Sequence, residues 1–101
     1  MASAILNDIK AAIRVKSDSS NIEVEDMIQA CKKELEIKGV YVKDETEPLA
    51  KQAIKLYCKG HYGYDENAEK FLNAYEKLSD SMALSGDFKK EISDGSKVDL
   101  E

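Results

Sequence analysis

Apolar residues recur in this chain at steps of three and four, the spacing of a buried helical stripe rather than the alternation of a half-buried strand. The pattern is clearest at Val24, Met27, Ile28, Cys31 and Leu35. Glu23, Glu25 and Asp26 stand near the start of that segment and Lys32, Lys33 and Lys38 near its end, the order a helix dipole favours. Ser20 followed by Glu23 has the spacing of a capping box. Gly39 is placed to end the helix, because glycine takes the left-handed backbone of a helix C-terminus without steric cost.

The same spacing predicts three more helices. Before the first clear stripe, Ile5, Ile9, Ala12 and Ile13 share a face widened by Leu6, with Ser3 as the expected cap and residues 15–21 as a polar loop. Residues 40–47 form a linker, and Thr46, Glu47 and Pro48 mark a third helix start, since proline in the first turn forfeits no hydrogen bond. Leu49, Ala53, Ile54, Leu56, Tyr57 and Cys58 wrap much of that helix, which places it at the centre of a bundle. Residues 60–67 read as a turn, with Gly60 and Gly63 allowing positive φ and Asp65 or Asn67 capping the next helix. Ala68, Phe71, Leu72, Tyr75, Leu78 and Met82 are in step on a fourth helix, with Gly86 as its expected stop. Beyond it the periodicity is lost. The expectation is an all-α domain over residues 1–86, a small bundle of four main helices, and a flexible C-terminal tail over residues 87–101.

Such a bundle has a thin core. Ile, Leu, Val and Phe supply 23 of the 101 residues, just above the share of about 20% below which highly charged chains stay disordered. One domain fits the length. Charged side chains make up 35% of the chain and the formal net charge is −5, more charge than a lone small domain needs. That balance disfavours unaided binding to a phosphate backbone, which relies on Lys and Arg to displace counterions. No apolar run approaches the ~20 residues that span a bilayer. The opening MASAILNDIK lacks the basic segment and long apolar stretch of a secretion signal, so the chain is expected in the cytosol with Cys31 and Cys58 as buried thiols.

Chemistry-bearing patterns are sparse. Cys58 and the only histidine, His61, lie three residues apart, the one arrangement from which a thiol nucleophile is conceivable. No third group stands at a spacing that would orient them. Cys31, Cys58 and His61 lack the close-set pairs of a structural zinc site. Asp44, Glu45 and Glu47 fall in the linker without EF-hand spacing. No catalytic residue, metal or cofactor is expected. A small helical DNA-binding or regulatory module is the alternative reading, but Glu34 and Glu36 interleave with the lysines of the second helix, and Lys10, Arg14 and Lys16 form only a small basic cluster. Tyr41, Tyr57, Tyr62, Tyr64 and Tyr75 suit both the end of a bundle and an interface, where tyrosine is enriched.

The stretch Ala53-Ile-Lys-Leu-Tyr-Cys-Lys-Gly-His-Tyr-Gly-Tyr64, followed by Ala68-Glu-Lys-Phe71 and Tyr75-Glu-Lys-Leu78, resembles the small head–tail connector proteins of tailed bacteriophages and prophages, often labelled DNA-packaging proteins. Asp8-Ile-Lys-Ala-Ala-Ile-Arg14, Ile28-Gln-Ala-Cys-Lys-Lys-Glu-Leu35 and Leu84-Ser-Gly-Asp87 extend the likeness over about residues 5–88. The resemblance implies a non-enzymatic adaptor that self-associates into a ring beneath the portal protein, extends the DNA channel and offers a platform to a downstream head-completion or tail protein. DNA would pass through without specific binding. The implied location is the head–tail junction of the virion, and the bacterial cytoplasm during assembly or when prophage-encoded.

For that role the expected contact residues are Tyr41, Val42, Asp44 and Glu45 in the linker, Tyr62 and Tyr64 after the third helix, and Phe88 and Ile92 as anchors in the tail. A ring needs two complementary surfaces on each subunit, which mixed polar patches can supply. Acidic surface facing the channel would keep DNA from adhering.

Overall fold

The computed structural model describes residues 3–62 and 66–89. Among these residues it contains four α-helices and no strand: α1 (Leu6–Ala12), α2 (Asn21–Ile37), α3 (Pro48–His61) and α4 (Ala68–Leu84). Short 3₁₀ turns precede α2 at Asp18–Ser20 and follow α4 at Gly86–Phe88. Helix α3 packs against each of the other three, the central place its wide apolar girth requires. One core cluster holds Ile5, Ile9, Val24, Ile28, Cys31, Leu35, Val40, Ala53, Ile54, Cys58, Tyr75 and Met82, each at most 1% exposed. The stripe of α2 is realised as the spacing requires, with Met27 half-buried at its edge.

Helix ends show how local chemistry sets the boundaries. At the C-terminus of α2 the Gly39 N–H donates to the Glu36 carbonyl (2.9 Å) and the Val40 N–H to the Leu35 carbonyl (2.8 Å), a complete Schellman closure with Gly39 at φ +95°. Pro48 opens α3, and the Glu47 carboxylate caps it by accepting from the Ala50 N–H at 2.9 Å. The expected caps of α1 and α2 are different. The Ser3 hydroxyl donates to the Glu25 carboxylate instead of capping α1, and the Ser20–Glu23 capping box is not formed. Ser17 caps the 3₁₀ turn that leads into α2, its Oγ accepting from the Ser19 N–H at 3.1 Å.

Two glycines differ from expectation. Gly60 lies inside α3, where a Cβ would stand 2.4 Å from Cδ2 of Leu72, so its role is to let α4 approach closely. Gly86 does not close α4 with a left-handed residue. The chain turns extended at Ser85, whose Oγ accepts from the Asp87 N–H (3.0 Å) and starts the last turn. That turn seats Phe88 in the core at 8% exposure.

Candidate functional site

The linker between α2 and α3 is a strap held at several points. Val40 is fully buried and Val42 packs against the core. The Tyr41 N–H donates to the Phe88 carbonyl (2.7 Å), joining the linker to the turn after α4. Asp44 closes a local turn, accepting from the Thr46 N–H (2.9 Å) and Oγ1 (2.6 Å), and these bonds hold its carboxyl below its ordinary range. Glu45 accepts from the Ala4 N–H (3.1 Å) and from Lys32 Nζ (2.7 Å), with its side chain 13% exposed.

Of the eight expected contact residues, the six that the structure describes fall in separate places. Tyr41 and Val42 line an open groove of about 400 Å³ together with Gln29, Lys32, Lys33 and Glu36 from α2 and Lys43 from the linker. Asp44 is engaged within the strap, and Glu45 is engaged by Ala4 and by Lys32 of α2. Tyr62 lies elsewhere, in a cleft of about 360 Å³ lined also by Glu23, Met27, Tyr57 and His61. Phe88 is a core residue, which corrects its expected place in a tail. Tyr64 and Ile92 lie outside the described residues. The groove depends on lysines from α2 and from the linker, separated in sequence and brought together only when residues 40–43 fold back. A list of spacings does not reveal it. The signal was nonetheless present in Val40, whose burial after Gly39 pins the linker to α2.

Charged ties link the helices on either side of α2. Glu25 accepts from the Ser3 N–H (2.8 Å) and from Gln29 Nε2 (2.9 Å); burial alone would raise its carboxyl, but the Ser3 bonds outweigh it and the net direction is down. Lys10, 7% exposed, reaches Asn21 Oδ1 at 2.6 Å. At the other end Lys38 donates to Glu76 (2.8 Å), Ser79 Oγ (2.6 Å) and Asp80 (2.9 Å) on α4. Burial alone would lower the Lys38 ammonium, and its acidic partners reverse this to a raised value.

The thiols are unsuited to nucleophilic chemistry. Cys58 is fully buried and its thiol is pushed up to about 12 by desolvation, the reverse of the depression an attacking thiolate needs. Burial raises Cys31 as well. His61 is exposed and its ring lies 4.2 Å from that of Tyr57. The Tyr75 hydroxyl is buried without a hydrogen-bond partner among the described residues, and desolvation drives its phenol far upward. Among the described residues no three His, Cys, Asp or Glu side chains converge as a metal site. No helix among them is long and apolar enough to cross a membrane.

Comparison with the curated proteins and with the solved structures returns no match. A family model described as a phage connector protein matches residues 5–89, the span that runs from the first buried isoleucine to the last described residue.

Proposed function

This chain belongs to the phage connector protein family, and from that premise we propose that it is a head–tail connector subunit that assembles as a ring under the portal protein. The ring extends the DNA channel and presents a platform to a downstream head-completion or tail protein. The observation that carries the reading is the extent of the family match, which covers α1 to α4, the linker strap and the Phe88 turn as one unit. No catalytic step belongs to this role. An adaptor needs surfaces rather than a reactive centre, and the groove beside the linker is such a surface.

The test is electron microscopy of the purified chain mixed with the portal protein encoded near it. Added ring density on the portal's tail-facing end is the expected result; unaltered portal particles at saturating subunit would overturn the reading. Truncation after Lys89 addresses residues 90–101 separately. It leaves the four helices and Phe88 in place, so loss of portal attachment would assign docking to the removed segment.

A further inference from the structure

Arg14 is the only arginine in the chain, and it stands in an unfavourable backbone conformation. Its φ of +62° lies in the left-handed region, which brings the Cβ of an L residue close to the following carbonyl oxygen. A glycine would make the same turn without that strain, so the fold alone does not call for arginine here. The side chain is exposed, and its guanidinium has no partner among the described residues.

The cleft beside the C-terminus of α3 has the opposite character. Glu23 is its single carboxylate, Met27, Tyr57, His61 and Tyr62 complete its lining, and no lysine or arginine is among them. The Tyr57 and His61 rings stand 4.2 Å apart at 44°, and Tyr57 also meets Tyr75 edge-on at 5.3 Å. Glu23 is exposed in the first turn of α2, and its carboxylate has no partner among the described residues. An unpaired carboxylate beside aromatic rings is a site for a cation. A planar guanidinium suits it best, because it stacks on rings while its edge bonds a carboxylate.

Arg14 and the cleft belong to different sides of the subunit. Helix α1 is tied to α2 through Lys10 and Asn21, and the segment before it through Ser3 and Glu25. Glu23 lies two residues from each of these α2 positions, a step of about 200° around a helix, so it looks away from α1. We propose that Arg14 of one copy docks in the Glu23 cleft of the next copy, its guanidinium against His61 and Tyr57 and its edge on the Glu23 carboxylate. The inference rests on the connector reading and names the residues of its ring contact. Cation and cleft are different surfaces of one subunit, so the contact is head-to-tail. Each added copy leaves one of each open until the ring closes. The strained turn then has a use, since it holds the arginine out toward the neighbour.

The experiment uses full-length chains: unaltered, Arg14→Glu, Glu23→Arg, both substitutions together, and Arg14→Gly, with circular dichroism to verify the helices. Sedimentation velocity measures self-association, and electron microscopy counts rings on the portal protein. Each single reversal sets like charge against like, and association is expected to fall by about tenfold or more. The double reversal restores opposite charges at every contact and is expected to return association to within about threefold of the unaltered chain. Arg14→Gly relieves the backbone but removes the guanidinium, so association falls by about tenfold while the helices stay intact. Undiminished association of either single reversal overturns the proposal. So does a double reversal no better than the singles, which would assign Arg14 to the portal or another partner. Rings on the portal from every variant would remove this contact and leave the connector reading standing. An unaltered chain that self-associates through Arg14 and Glu23 but ignores the portal would do the reverse. One that neither self-associates nor forms rings overturns both.

Discussion

Helices α1 and α2 end in the same hydrogen-bond pattern, yet different residues occupy its critical position. After α2 the left-handed residue is Gly39, and the two residues that close the motif, Leu35 and Val40, are both fully buried. After α1 the Arg14 N–H donates to the Ala11 carbonyl (3.2 Å) and the Val15 N–H to the Lys10 carbonyl (2.9 Å), with Arg14 at φ +62°. Arg14, the only arginine, is exposed there and Val15 is half-buried. The shared pattern thus satisfies the last carbonyls in both places, but the closing pair is two fully buried apolar residues at α2 and the buried Lys10 with the half-buried Val15 at α1. Stability belongs to the packing around the motif rather than to its hydrogen bonds.

The largest contrast comes from the apolar residues of the two motifs. Leu35→Ala empties a fully buried site and is expected to cost about 2–5 kcal/mol, a large part of a small domain's stability. Val15→Ala, at a half-buried site, is expected to cost less than about 1 kcal/mol. Urea unfolding of the two variants measures both, and comparable losses would break the distinction between the ends.

Substitution at the left-handed residues should give opposite signs. At Gly39 an added Cβ meets nothing within 4 Å, so Gly39→Ala isolates the backbone cost, about 1 kcal/mol of destabilisation. Arg14→Gly relieves the same conformation and is expected to stabilise by roughly 0.5 kcal/mol, after glycine's greater unfolded-state entropy is subtracted. Thermal unfolding resolves both, since 1 kcal/mol moves the midpoint by about 4–8 °C at this chain length. Equal signs would mean that φ is not what distinguishes the two endings.

Gly39 and Pro48 were legible because each acts through its own backbone, whatever surrounds it. So was the α2 stripe, whose period is a property of one helix. Phe88 was not: periodicity cannot report a single aromatic carried into the core by a 3₁₀ turn after the last helix. Gly60 reads locally as a turn former, whereas its use is lateral, against Leu72 of α4. Ser3 reads as a cap until Glu25, 22 residues away, takes its hydroxyl and its N–H. Glu45 likewise reads only as a linker carboxylate until Ala4 and Lys32 claim it. Each miss is a tertiary contact overriding a correct local propensity. The groove belongs to the same class, which is why only Tyr41 and Val42 of its lining were anticipated.

The smallest expected effect separates the two sides of α2 by pH. On the α4 side, Lys38 is raised above its ordinary 10.5 by Glu76 and Asp80 against the lowering by burial. Its contribution is therefore complete below pH 10.5 and lost as pH rises through the folded-state value. On the α1 side, Glu25 is held below its ordinary 4.5 by Ser3 and Gln29 against the raising by burial. Its contribution is present above pH 4.5 and lost as pH falls through the folded-state value. Base thus loosens the α2–α4 tie and acid the tie between α2 and the segment before α1. Other groups titrate in both ranges, so the measured quantity is unfolding free energy of the unaltered chain minus that of a variant, followed against pH. Lys38→Met should make this difference shrink on the alkaline limb, and Glu25→Gln on the acid limb. A difference that stays constant on the alkaline limb for Lys38→Met, or on the acid limb for Glu25→Gln, would show that the charges do not tie α2 to its neighbours in this way.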